Sequence, residues 1–161
     1  MPVLNSYISK FTEKGFPVYL TRDWHPYNHI SFKAYGGIWP SHCIQDTEGA
    51  GFHRDLQIPS SAVIISKGTL SDKDAYSGFE GTNLSDSLKQ RKIECLFIGG
   101  LATDYCVKST VLDAIKGGFQ AVFLEDASRG VDVTPGDSET AILEMLKEGA
   151  MAITIEEIVK E

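Results

Sequence analysis

Five short apolar runs, with helical patterns between most of them, set the limits on what this chain can fold into. "FPVYLTRD" runs from residue 16 to a polar end at Asp23. "AVIISK" follows at 62–67, "CLFIGG" at 95–100, "QAVFLED" at 120–126 and "MAITI" at 151–155. Each has the length and β-branched or aromatic content of a buried strand. Residues 3–14 place Val3, Leu4, Tyr7, Ile8 and Phe11 at helical spacing, with Gly15 as the stop. "SDSLKQRK" within 82–92, "TDYCVKSTVLDAIKGG" and "TPGDSETAILEMLKEGA" read as further helices. Strands that alternate with helices pair in parallel, because each crossover helix returns the chain to the same edge. A parallel sheet then needs both faces covered. The expectation is an α/β fold: a three-layer α/β/α arrangement around a mainly parallel sheet. A chain of 161 residues fits one domain, 1–161, large enough to bury roughly 70% of the surface its unfolded form exposes.

Charge excludes several partners. The formal net charge is -7 and no run of Lys or Arg occurs, so neither nucleic acid nor an anionic membrane surface is an expected partner. No apolar stretch approaches the ~20 residues that span a bilayer, and "MPVLNSYISKFTEKG" lacks the layout of a signal peptide. Cys43, Cys95 and Cys106 are odd in number and far apart. They argue against a disulfide scaffold and for a reducing cytoplasm.

Parallel sheets bind ligands at the carboxyl ends of their strands. Three such ends carry polar chemistry: Asp23, Lys67 and the turn from Gly99 to Cys106. In that turn Thr103 or Asp104 is expected to cap a helix and to place Cys106 in its first turn. A helix N-terminus favours a thiolate, so the Cys106 pKa is expected to fall. The competing reading is a small apolar cysteine between helix and sheet. Cys95, opening a strand, and Cys43, directly after His42, read as passive thiols. The loop 24–60 is long for a compact domain, which marks it as functional. It starts with "DWHPYNH", where Asp23 and His25 are two apart and face the same side of an extended chain. His42 lies within reach of a folded loop, His29 offers a fourth ligand, and His53 is spare. Two histidines and a carboxylate suit a divalent metal with open coordination positions. The competing reading is a polar loop whose histidines cap turns.

Four segments, "TRDWHPYNHISF", "GGIWPSHCIQDTEGAGFH", "ISKGTLSDKDAYSGFEGT" and "GGLATDYCVKSTVLDA", resemble the nicotinamidase/pyrazinamidase branch of the isochorismatase-like cysteine hydrolases, in order and spacing. The resemblance implies an isochorismatase-like sheet flanked by helices and the hydrolysis of nicotinamide to nicotinate and ammonia. It implies one divalent metal, zinc first with iron or manganese as alternatives, on Asp23, His25 and His42. His29 matches a fourth ligand found in only some members. Cys106 matches the nucleophile and Lys67 the catalytic lysine. Trp39 and Tyr76 match the walls around the pyridine ring, and the backbone N–H groups of Ala102 and Cys106 the oxyanion hole. It also implies a cis peptide between Leu101 and Ala102. A homo-oligomer is compatible with it.

The family opens with a strand that bears an aspartate, ahead of the first helix, whereas Met1 here falls inside that helix. The expectation is an N-terminally incomplete copy, with two strands paired on one side only, no carboxylate for the Lys67–Cys106 pair and weak turnover. A metal- and ligand-binding homologue without turnover, or a hydrolase of another amide or of an enol ether as in isochorismatases, stands as the alternative.

Overall fold

The structure, a computed structural model, describes residues 1–159. It opens with helix α1 (Pro2–Glu13), whose chain turns out through Gly15 at φ 77°, the left-handed position that glycine takes without a Cβ penalty. Strands β1 (Tyr19–Asp23) and β2 (Val63–Lys67) pair in parallel, with the long loop between them. That loop is irregular apart from two short 3₁₀ turns, Lys33–Tyr35 and Glu48–Ala50. Helix α2 (Leu84–Gln90) leads to β3 (Cys95–Leu101), and α3 (Lys108–Lys116) leads to β4 (Gln120–Arg129). Helix α4 (Asp137–Lys147) leads to β5 (Met151–Ile153), and a short helix α5 (Ile155–Val159), not foreseen from the sequence, follows it.

All ladders are parallel, as the alternation of elements requires. They form two sheets, β1–β2 and β3–β4–β5. Among the described residues β1, β2, β3 and β5 thus each carry a ladder on one side. β4 lies between two partners, and Ala121, Val122, Phe123 and Leu124 are all buried. This is why that strand reads as a continuous apolar run instead of an alternating one. Ala121 and Phe123 join Ile65, Leu88, Val111, Ala114 and Met145 in a core shared with α2, α3 and α4. On the other side, Tyr7 of α1 donates its hydroxyl to Asp126 at 2.9 Å, and the Ile155 N–H donates to the second Asp126 oxygen at 3.0 Å. Phe11 packs its ring against the edge of Phe97 at 4.8 Å between centroids. Helices therefore cover both faces, in three layers. Among the described residues no helix is long and apolar enough to cross a membrane.

The segment after β3 departs from the expected α-helix. Thr103–Val107 forms a π-helical turn before α3 begins, with the Val107 N–H bonded to the Ala102 carbonyl. Neither Thr103 nor Asp104 caps it. The Asp104 carboxylate accepts the N–H groups of Val131 at 2.9 Å and Asp132 at 2.8 Å instead, tying the turn to the loop after β4. The tether turns the Asp104 carboxylate toward residues 131 and 132 and away from the N–H groups of its own turn. The Leu101–Ala102 peptide is cis.

Candidate active site

The parallel register of β1 and β2 sets Asp23 opposite Lys67. Side chains in register on neighbouring strands point to the same face, so the Lys67 ammonium meets the Asp23 carboxylate directly at the strand ends. Lys67 is only 4% exposed. A buried ammonium is tolerated only with partners, and Lys67 has three: Asp23 Oδ1, the Ala75 carbonyl at 2.9 Å and Cys106 Sγ at 3.4 Å. Burial alone would push its pKa down. The facing Cys106 and Asp23 outweigh burial and hold it above the ordinary lysine value. The sequence offered no carboxylate for the Lys67–Cys106 pair, and the structure places Asp23 there.

Cys106 sits on the π turn. Burial pushes its thiol up, Lys67 pulls it down, Asp23 adds to the push, and a hydrogen bond from the Ala102 N–H again favours the thiolate. The net direction is upward, opposite to the fall expected from a helix N-terminus, because desolvation of a buried thiol outweighs a partial charge. Burial also raises Cys43 and Cys95. Cys106 differs from both in having an ammonium at hydrogen-bond distance.

Asp23, His25 and His42 converge, with their ligand atoms all within 4.8 Å of one another. The backbone explains this. The Trp24 N–H continues the β1–β2 ladder onto the Lys67 carbonyl. Residues 43–45 then run alongside 25, with the His25 N–H on the Cys43 carbonyl at 2.9 Å and the Gln45 N–H on the His25 carbonyl at 2.8 Å. Cys43 turns that segment at φ 46°, leaving His42 facing His25. Both tautomers are set by neighbouring carbonyls, which only accept. His25 Nδ1 donates to Gly68 O and His42 Nδ1 to Pro40 O, each at 2.8 Å. In the neutral ring this tautomer leaves the lone pair of Nε2 free, the form a metal requires. A carboxylate oxygen of Asp23 completes a donor set that fits a divalent cation such as zinc.

His29 does not join this set. It is fully buried, and both ring nitrogens are used elsewhere: Nδ1 on Ser31 Oγ at 2.7 Å and Nε2 on the Lys73 carbonyl at 3.0 Å. His53 is exposed beside Asp55.

An aromatic wall joins the two halves. Trp39 Nε1 donates to the Tyr76 hydroxyl at 2.8 Å. The Tyr105 ring lies 5.0 Å from Trp39 and 5.6 Å from Tyr76, and Trp39 lies 6.4 Å from His42. Trp39 is held here by a backbone bridge to Phe32, which brings Gly37 so close to Ser31 that a Cβ there would sit 2.0 Å from the Ser31 carbonyl oxygen. Tyr105 escaped the sequence reading. Its position directly before Cys106 was the available signal.

A thiol paired with an ammonium, beside a carboxylate–histidine triad at the ends of parallel strands, defines a hydrolase-like site. The chain belongs to the family described as the isochorismatase domain, whose model matches residues 1–157. Among its relatives, a nicotinamidase of Escherichia coli strain K12 is 37% identical, over 95% of this chain and 82% of that protein. A nicotinamidase/pyrazinamidase of Mycobacterium tuberculosis is 35% identical, over 84% of this chain and 75% of that protein. The crystal structure of a pyrazinamidase of Pyrococcus horikoshii in complex with zinc matches with a TM-score of 0.91. It is 49% identical and covers 96% of this chain and 84% of that one. The chain is thus an enzyme of the amidohydrolase kind.

Proposed function

We propose that this chain hydrolyses nicotinamide, and by the same chemistry pyrazinamide, through a thioester on Cys106. The observation that carries the proposal is the contact of Lys67 with both Cys106 and Asp23, at the edge of the Asp23–His25–His42 triad and under the Trp39–Tyr76–Tyr105 wall. The names of the relatives supply the substrate class.

In this reading the aromatic wall holds the flat ring of the substrate, with the amide carbon over Cys106 Sγ. As sulfur attacks the amide carbon, its proton passes through the Lys67 ammonium to the Asp23 carboxylate, which returns it through Lys67 to the leaving nitrogen. The N–H groups of Ala102 and Cys106 receive the oxyanion. The C–N bond breaks, the nitrogen takes the proton from Lys67, and ammonia leaves. Water then attacks the thioester, the C–S bond breaks, one water proton goes to the sulfur and the other to solvent, and nicotinate departs with the thiol restored. Asp23, His25 and His42 would hold a divalent metal, zinc being the ion on a related structure. When bound it supplies Lewis acidity toward the ring nitrogen and water. Rapid acid quench during turnover, followed by peptide mass spectrometry, tests the mechanism. A nicotinoyl adduct on the peptide bearing Cys106 is expected. An adduct on Cys43 or Cys95 would overturn the assignment.

A further inference from the structure

His29 is the largest polar side chain that the proposed chemistry leaves unused and that is shut off from solvent entirely. Its surroundings give it a different task from ligation. The Ser31 N–H donates to Nδ1 at 3.3 Å, and the Ser31 hydroxyl lies 2.7 Å from the same atom, so Nδ1 is the acceptor nitrogen. Nε2 therefore carries the hydrogen and donates to the Lys73 carbonyl. No lone pair remains for a cation unless the ring turns and abandons both partners. The face of the ring lies on the face of His25, with centroids 4.0 Å apart and planes inclined by 29°. Phe32 closes off both rings from the side, at 5.7 Å from each. The strand of contact runs further. The segment that His29 clamps through Lys73 and, by the Ile30 N–H, through Ser71 also contains Ala75, whose carbonyl holds the Lys67 ammonium.

We infer that His29 is a positioning residue: from outside the metal set, its buried ring backs His25 and pins the 71–75 loop that orients Lys67. The inference rests on the metal reading above and adds to it the residue that fixes the geometry of His25. Hydrogen-bonded outer partners of metal-bound histidines typically contribute about 10–100-fold in affinity, and the stacked ring of His29 is assigned an effect of that order. Backing a ring also differs from ligating in a measurable way, because the coordination number of the metal does not depend on it.

The test uses the full chain with zinc, then with cobalt(II) as a spectroscopic substitute. Variants are His29→Ala, His29→Phe, which keeps a ring under His25, and His29→Gln, which keeps an amide N–H near the place of Nε2. Zinc affinity is read by competition with a chromogenic chelator. Folding is checked by circular dichroism in EDTA. Expected are one zinc per chain throughout, an affinity about 10–100-fold weaker in His29→Ala, and partial recovery in His29→Phe or His29→Gln. The cobalt ligand-field spectrum of His29→Gln should match that of the wild type. A cobalt spectrum showing one ligand fewer in His29→Gln would make His29 a ligand and overturn the inference. Wild-type affinity in His29→Ala would overturn it as well, while leaving the metal reading intact. Absence of zinc binding by the wild type would remove the metal reading and the inference together.

Discussion

Replacing Gly68 with alanine probes the link between backbone geometry and the metal triad. Gly68 follows Lys67, the last residue of β2, and has φ 59°. An alanine there costs about 1–2 kcal/mol in left-handed backbone strain. Its Cβ would also lie 2.4 Å from Cε1 and 2.6 Å from Nδ1 of His25, where ordinary contact starts at 3.4 Å. The ring can yield only by displacing a neighbour, since His29 lies on its face and Phe32 and His42 meet it edge-on. A displacement of about 1 Å at a functional group is enough to cost on the order of 100-fold in rate. The same movement breaks the Nδ1–H bond to Gly68 O, worth about 1 kcal/mol. Gly68→Ala should therefore lose about 2–3 kcal/mol of stability. It should bind zinc about 10–100-fold more weakly. Gly81→Ala is the matched control. It has a similar φ of 66° with nothing within 4 Å of the added Cβ. It should show the strain in a denaturant melt and leave zinc affinity unchanged. Wild-type zinc affinity in Gly68→Ala would refute the reasoning, because it would mean that the His25 ring is not fixed by this carbonyl.

Three further outcomes rest on the same structure. Iodoacetamide should label Cys106 increasingly as pH rises past the range of a free thiol, because burial lifts its pKa. Lys67→Met should slow labelling at fixed pH by removing the one cation in contact, and should cost turnover about 10²–10⁴-fold. Unchanged labelling in Lys67→Met would contradict the pairing. Tyr7 is held well above the ordinary tyrosine pKa by burial and by its hydrogen bond to the Asp126 carboxylate. A raised folded-state pKa contributes stability below the unfolded value of about 10 and loses it as pH climbs above that. The stability difference between wild type and Tyr7→Phe, read from urea melts, should thus shrink above about pH 10. A gap that stays constant to higher pH would exclude the proposed linkage.

The sequence was most informative where backbone periodicity alone decides the outcome. β-strand alternation is enough to put Asp23 and His25 on one side, and apolar runs are enough to locate all five strands. Register is different. That Asp23 lies opposite Lys67 depends on how two strands 44 residues apart line up, and neither strand's own pattern specifies this. The roles of histidines were equally hidden. Spacing placed His25, His29 and His42 in one group, but only the carbonyls of Gly68, Pro40 and Lys73 decide which nitrogens stay free. Cys106 shows the limit of local electrostatics, since a helix-end argument gave the wrong sign once burial entered. Asp104 shows the limit of capping rules, because the N–H donors to its carboxylate, those of Val131 and Asp132, come from 27 and 28 residues away.

Turnover of nicotinamide by Cys106, paired with Lys67 and Asp23, is the proposal on which the rest depends. Ammonia released from nicotinamide by the zinc-loaded 161-residue chain, followed over many turnovers beside Cys106→Ala, tests it most directly. The wild type should release ammonia and nicotinate continuously and in equal amounts, and Cys106→Ala none above background. Nicotinamide that binds the zinc-loaded chain without any ammonia appearing, or equal release by Cys106→Ala, would contradict it.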